Sequence, residues 1–359
     1  MAKFFQLKVE DVRRETPDTV SIAFEIPDAD KAAFQYKQGQ YLTLKMDVEG
    51  EECRRSYSLS SSPDADNELR IAVKQVENGR VSTRINQHLK AGDVLEVMAP
   101  MGNFFTELNA SQEKHYVALA AGSGITPVIS ILKSVLMVEA NSRFTLFYGN
   151  RSSESIIFKG ELDALQAKYG DRLTVCHILS REDTVDPLFS GRISGAKIGQ
   201  LLDRYVDVSE AAEYFLCGPE EMIKEATRLL QNLRVDKSHI HFELFTTPVA
   251  EEGTKEEAAP VAGNGISQIT VIMDDEETVF ELATKGKNIL DAALDQNVDV
   301  PFACKGAVCC TCKAKVTEGQ VSMDMNYSLD DQEVADGFIL TCQSHPLTPK
   351  VVVDFDQAV

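Results

Sequence analysis

The sequence has no run of about 18 apolar residues, the length that crosses a bilayer, so no membrane-spanning helix and no membrane partner are expected. Its opening stretch, MAKFFQLKVEDVRRETPD, meets charged residues too soon to act as a secretory signal. Basic residues are in deficit: 36 Lys and Arg stand against 56 Asp and Glu, a formal net charge of −20 at pH 7. Nucleic acid, whose phosphates demand a basic face, is therefore not an expected partner. There is no internal repeat and no G-x-G-x-x-G fingerprint. A cytoplasmic location is the expectation, and there thiols stay reduced, so clustered cysteines point to metal or redox work before disulfides.

What is present is a chain of 359 residues, 43% hydrophobic and 26% charged, long enough for two or three cores. Residues 248–265, inside the stretch TTPVAEEGTKEEAAPVAGNGIS, contain no aromatic residue and are rich in Pro, Gly, Ala and Glu. That composition cannot bury enough apolar surface to order itself and reads as a flexible linker. Beyond it, residues 266–359 form a separate module with 16 acidic and 6 basic residues. Such a charge suits docking to a basic protein surface, although plain solvation is the simpler account.

Upstream, residues 1–110 alternate apolar and polar positions in TVSIAFEI, QYLTLKMDV, ELRIAVKQV and DVLEVMAP, which predicts an antiparallel β-barrel. Residues 111–247 change rhythm. Strands such as HYVALAAG, RFTLFYG and AEYFLCG alternate with helical stretches such as TPVISILKSVLMVE, which predicts an α/β domain with a parallel sheet and helices on both faces.

The chemistry concentrates in four places. Cys304, Cys309 and Cys312 stand in C-x4-C-x2-C, and Cys342 follows in LTCQSHP, the spacing of plant-type [2Fe–2S] ligation. Three ligands on one loop can wrap a cluster while a distant fourth closes it, and Gly306 and Ala307 keep the loop free of bulk. A zinc site would favour two paired knuckles or histidines, and only one such pair is present. Cys310 is the surplus thiol and is expected to fill a small-residue position. In RRSYSLSSSP, Arg55, Tyr57 and Ser58 suit a flavin: a guanidinium for the pyrophosphate, a flat ring for the isoalloxazine, and a hydroxyl for its N5 edge. Gly79 and Ser82 in NGRVSTRI open a helix whose amides can receive phosphates. In ALAAGSGITPVISIL, Gly122, Ser123 and Gly124, with Thr126 and Pro127 after them, lie between a strand and a helix, where backbone can approach a pyrophosphate.

Residues 266–359, with FACKGAVCCTCKAKVTEG and LTCQS as their marks, resemble a plant-type ferredoxin domain of β-grasp fold. Residues 4–247 resemble the ferredoxin–NADP reductase family on the strength of the R-x-Y-S strand, the G-x-x-S helix start and the GSGITP turn. The resemblance implies FAD in preference to FMN, and AGDVLEVMAPMGNFF as the barrel's closing strand. It implies further that Cys217, Gly218 and Pro219 line a nicotinamide pocket, and that Ser180 and Arg181 hold a 2′-phosphate, which favours NADPH over NADH. Phe245 is implied to lie near the flavin, and Ser58, Cys217 and Glu243 at the reacting centre. Together the modules resemble the reductase subunits of multicomponent oxygenases, which carry electrons from NADPH through FAD and [2Fe–2S] to a di-iron or Rieske-type oxygenase component. The passages RSYSL, GSGITPVISI and ACKGAVC are most similar to the branch serving phenylacetyl-coenzyme A epoxidation. A reductase for a Rieske-type or steroid hydroxylase is the alternative. A stand-alone redox-sensing or electron-buffering protein, and a zinc-stabilised scaffold, are alternatives of other classes.

Overall fold

Six strands realise the alternation of the first hundred residues in the computed structural model, which describes residues 3–245 and 265–358. They are β1 (Phe4–Thr16), β2 (Thr19–Glu25), β3 (Tyr41–Val48), β4 (Glu51–Ser58), β5 (Leu69–Lys74) and β6 (Val94–Met98), in sheet order β4-β3-β6-β1-β2-β5. Residues two apart, such as Leu42 and Leu44, Leu69 and Ile71, or Leu95 and Val97, point into one shared core, as the pleat requires. Helix α1 (Arg80–His88) adds Val81 and Ile85 to that core. The expected closing strand is not at an edge: β6 lies inside the order, between β3 and β1. Closure falls instead just past β4, where Leu59 bridges Ile71 and the Ser60 N–H reaches the Arg70 carbonyl at 2.8 Å.

The next stretch runs β7 (His115–Ala121), α2 (Ile125–Val138), β8 (Arg143–Asn150), α3 (Lys159–Tyr169), β9 (Leu173–Leu179), α4 (Gly195–Tyr205), β10 (Ala211–Cys217), α5 (Glu220–Asn232) and β11 (Ile240–Glu243). The five strands are all parallel, in order β11-β10-β7-β8-β9. The order reverses at β7: the chain builds β8 and β9 to one side, then returns to lay β10 and β11 on the other. The loops after β7 and β10 therefore leave in opposite directions, and a crevice opens at the carboxyl ends of these strands.

Helix α2 is buried along nearly its whole length and ties this sheet to the barrel. Ser130 Oγ donates to the Ser61 carbonyl at 2.6 Å, Ser134 and Ser62 share a hydrogen bond of 2.7 Å, and Lys133 Nζ sits 2.6 Å from Asp66 and 2.8 Å from Glu161. A lysine this buried is tolerable because two carboxylates face it. Barrel and parallel sheet accordingly form one compact unit, spanning Phe5–Cys53 and Tyr57–Phe245.

The second unit contains β12 (Ile266–Met273), β13 (Glu276–Ala283), α6 (Ile289–Asp295), β14 (Lys313–Glu318), β15 (Val321–Met323), α7 (Asp331–Ala335), β16 (Phe338–Leu340), β17 (Ser344–Pro346) and β18 (Lys350–Asp354). Its mixed sheet runs β13-β12-β18-β14-β16, and α6 buries Ile289, Leu290, Ala292 and Ala293, in keeping with a β-grasp module. The linker expected over 248–265 lies, apart from Gly265, outside the described residues. Among the described residues no helix is long and apolar enough to cross a membrane.

Candidate functional site

The glycine turn and the Cys217–Gly218 pair meet at the point where the strand order reverses. Gly122–Gly124 form a single tight turn directly after β7, with Gly122 at φ +55°, a conformation that favours glycine. A Cβ on Gly124 would sit 2.0 Å from the Cys217 carbonyl oxygen, and one on Gly218 would sit 2.5 Å from Met222 Cε and 3.0 Å from Ala121 Cβ. Gly124 is thus required by close packing of backbone between the ends of β7 and β10, whereas at Gly218 the nearest atom is the movable end of a side chain and the Ala121 contact is tight. Cys217 pairs in register with Glu243 on β11, and Ser58 at the end of β4 donates its hydroxyl proton to Glu243 Oε2 at 3.0 Å. The three residues expected at the reacting centre are therefore neighbours. Burial pushes the Cys217 thiol well above its ordinary range, with the Glu243 charge adding to the effect, so it stands there as a neutral thiol. Pro219 caps α5 at its start, and Phe245 lies exposed just beyond β11.

Thr126 is buried and its Oγ1 donates to the Ser123 carbonyl at 2.9 Å; Pro127 belongs to the buried surface of α2. These two shape the turn from inside. At the end of β9, Ser180 and Arg181 are exposed, and their amides donate to the carbonyls of Asn150 (2.9 Å) and Arg151 (2.8 Å). The second bond sets Arg151, which sequence reasoning missed, beside Arg181. Glu182, the acidic neighbour that would suit an unphosphorylated ribose, accepts from the Ser153 amide (2.9 Å) and hydroxyl (3.1 Å). Lys74 was also missed: its Nζ lies 3.9 Å from the Cβ position of Gly122.

Along β4, Arg55 is exposed and its guanidinium donates to the Arg54 carbonyl at 2.7 Å, Tyr57 is half-buried, and Ser58 is buried. Gly79 caps α1 in extended conformation. Ser82 turns its hydroxyl inward, accepting from the Val76 N–H at 3.1 Å and donating to the Gly79 carbonyl at 3.4 Å. Ser82 thus braces the helix start, and the amides of that start remain the groups suited to a phosphate.

Cys304, Cys309 and Cys312 sit on the loop between α6 and β14, and Cys342 in the single turn Thr341–Gln343 after β16. Their sulfurs fall into two pairs. Cys309 Sγ donates to Cys304 Sγ at 3.1 Å and Cys312 to Cys342, and these bonds draw the Cys304 and Cys342 thiols down to about 7. Among the described residues no three Cys, His, Asp or Glu side chains close around a single ion. Two pairs of sulfurs suit two irons with two protein ligands each better than one tetrahedral zinc. Backbone amides face the sulfurs as well: Gly306 N–H reaches Cys304 Sγ at 3.3 Å, Val308 also acts on Cys304, and Ala307 on Cys342.

The left-handed positions of that loop are Lys305 (φ +52°) and Ala307 (φ +63°), not Gly306. Lys305 is steadied by Asp291 at 2.7 Å and by Gln343 Nε2, which donates to its carbonyl at 3.3 Å. Thr341 ties the Cys342 turn to the loop by donating Oγ1 to the Cys312 carbonyl at 2.9 Å. Cys310 is buried, as its small-residue reading expects.

A barrel with a flavin-type strand, a parallel sheet with a glycine turn at its switch point, and a four-cysteine β-grasp module define a redox protein of three parts. Family models match each part: an oxidoreductase FAD-binding domain at residues 6–106, an oxidoreductase NAD-binding domain at 118–228, and a 2Fe-2S iron-sulfur cluster binding domain at 271–347. The chain belongs to the family of flavin- and nicotinamide-binding reductases that carry a [2Fe–2S] domain. It is 42% identical over 356 residues to one of the subunits of 1,2-phenylacetyl-CoA epoxidase of Escherichia coli (strain K12), covering 99% of each chain. It is 34% identical to the ferredoxin reductase component of 3-ketosteroid-9-alpha-monooxygenase of Rhodococcus rhodochrous, covering 97% of this chain and 96% of that one. Among solved structures, phthalate dioxygenase reductase shares the fold over 98% of each chain, with a TM-score of 0.57 at 22% identity.

Proposed function

We propose that the chain takes reducing equivalents from NADPH and delivers them through FAD and a [2Fe–2S] cluster to an oxygenase component, that of a phenylacetyl-coenzyme A epoxidase. When bound, the flavin supplies the exchange between a hydride pair and single electrons, and the cluster carries those electrons singly. The observation that carries the reading is the meeting of Ser58, Cys217 and Glu243 with the Gly122–Gly124 turn at the sheet's switch point. Arg55, Tyr57 and Ser58 would hold the flavin together with the α1 start at Gly79 and Ser82. Gly122, Ser123 and Gly124 would seat the pyrophosphate, with Thr126 and Pro127 shaping the turn. Ser180 and Arg181, aided by Arg151, would take the 2′-phosphate through charge-assisted hydrogen bonds.

Cys217, Gly218 and Pro219 would frame the nicotinamide, and Phe245 would lie near the flavin. Glu243 holds the Ser58 proton and so sets which way that hydroxyl points. Cys304, Cys309, Cys312 and Cys342 would ligate the cluster. The eight cysteines and the nicotinamide chemistry suit the cytoplasm.

The test is anaerobic titration of purified protein with NADPH and with NADH, followed by turnover with purified oxygenase. Yellow-brown protein whose flavin and iron–sulfur absorption bleaches preferentially with NADPH is expected, as is coupled epoxidation of phenylacetyl-coenzyme A. Protein that stays colourless after reconstitution would overturn the reading. The second reading, a reductase for a Rieske-type or steroid hydroxylase, rests on the 34% identity to the 3-ketosteroid component. It is separated by asking which oxygenase accepts the electrons.

A further inference from the structure

A turn that receives a polyanion must aim its N–H groups outward and keep its carbonyl oxygens away, because a carbonyl dipole facing a phosphate repels it. Gly122 and Ser123 each carry such an oxygen. The Ile125 N–H is shared between the two, one hydrogen for two acceptors. Side chains supply the rest. Thr126 Oγ1 donates to the Ser123 carbonyl at 2.9 Å, and the hydroxyl of Tyr148 donates to the Gly122 carbonyl at 3.0 Å.

Tyr148 is well placed for this. It stands on β8, paired in register with Ala120 on β7, so its ring lies beside the strand end from which the turn springs. It is fully buried among α2 and α3 residues, where a phenylalanine ring would pack equally well, so packing does not account for the hydroxyl. Burial pushes its ionisation well up, and the hydroxyl keeps its proton at every working pH. The Asn150 side chain and the Ile157 N–H also lie against this hydroxyl, and its own hydrogen is directed at the Gly122 carbonyl.

We propose that Tyr148 is a positioning residue for the dinucleotide: its hydroxyl holds the Gly122 carbonyl back, so that the amide side of Gly122–Gly124 faces the pyrophosphate. This rests on the reading of that turn as the pyrophosphate seat. The role is one of binding and differs from that of Ser58, Cys217 and Glu243 at the reacting centre.

The test is isothermal titration of the FAD- and cluster-loaded protein and its Tyr148→Phe variant with two probes. One is NADP+, which carries the pyrophosphate; the other is adenosine 2′-monophosphate, which lacks it. Loss of the hydrogen bond that holds the Gly122 carbonyl should raise the dissociation constant for NADP+ about tenfold. Adenosine 2′-monophosphate should bind as before and FAD content should stay at the wild-type level, with any fall in melting temperature no larger than the loss of one hydrogen bond brings. Thr126→Val, which removes the other capture, should show the same pattern and serves should Tyr148→Phe fold poorly. Unchanged NADP+ affinity in both variants would overturn the proposal, as would equal weakening of both probes. If the wild-type protein binds NADP+ no more tightly than adenosine 2′-monophosphate, the pyrophosphate reading itself fails, and the proposal with it.

Discussion

Replacing Gly124 by alanine places a methyl carbon 2.0 Å from the carbonyl oxygen of Cys217. Carbon and oxygen in ordinary contact stand about 3.3 Å apart, so the turn and the end of β10 must separate by about 1.3 Å. The obstacle is backbone, which no rotamer change relieves. Cys217 is moreover held in register by β7 on one side and β11 on the other. The strain therefore falls on the relation between the nucleotide turn and the Cys217–Glu243–Ser58 group. Reaction geometry is unforgiving on this scale: a misplacement of about 1 Å costs about 100-fold in rate. Anaerobic stopped-flow reduction of the flavin by NADPH should fall by about that factor. FAD content should hold, because Tyr57 and the α1 start lie on the barrel. Gly160→Ala on α3 is the matched control, since nothing lies within 4 Å of its Cβ position. There the rate should be unchanged, with stability raised by up to about 1 kcal/mol. A Gly124→Ala protein that reduces its flavin within about threefold of wild type would refute the claim that close packing at this point sets the reaction geometry.

Cys342→Ser should abolish the visible and paramagnetic signature of the iron–sulfur centre while leaving flavin absorption in place, and Cys310→Ser should keep both. Arg181→Ala should raise the KM for NADPH by about 10- to 100-fold, the worth of a charge-assisted hydrogen bond, and leave that for NADH nearly unchanged. The split is read by steady-state kinetics with each nucleotide. His115 carries a pH prediction. Burial, helped by the Arg143 charge, lowers its pKa from 6.5 to about 4. Between those values the unfolded chain binds a proton that the native state refuses, so stability is full above pH 6.5 and falls as pH drops towards 4, by about 3 kcal/mol in all. His115→Gln should flatten this acid limb in melting temperatures taken from pH 7 to 4.5, and an unaltered slope would assign the loss to other groups.

The candidate cluster cysteines stood out because their spacing is local: three of them lie on one loop, and C-x4-C-x2-C records that loop directly. The barrel and the parallel sheet were legible through the change from a period of two to alternating strands and helices. What stayed hidden depends on the order of strands in space, which no window of sequence records. The place of β6 inside the barrel, Arg151 beside Arg181, Lys74 near the glycine turn, and Tyr148 behind it all follow from pairings between distant segments. β1 escaped notice because register shifts after Val9 and Arg14 break its alternation. Helix α4 escaped because its stretch joined none of the motifs. In the iron–sulfur loop the same limit shows at finer scale. Glycine at 306 invites the left-handed conformation, yet Lys305 and Ala307 adopt it, and tertiary bonds from Asp291 and Gln343 brace the first of them.

Several bracing roles that sequence does not record share a physical character. Each acts on backbone: Tyr148 and Thr126 on the carbonyls of the glycine turn, Ser82 on the start of α1, Thr341 and Gln343 on the carbonyls of the cysteine loop. Residues suited to touch a cofactor directly carry distinctive chemistry and stand out in sequence. Residues that aim the main chain need only a hydroxyl or an amide in reach, and a sequence of this length offers those by the dozen. The motifs therefore say which groups are to be bound. The strand order, by choosing which hydroxyl stands behind which carbonyl, decides whether the turn's amides face a phosphate at all.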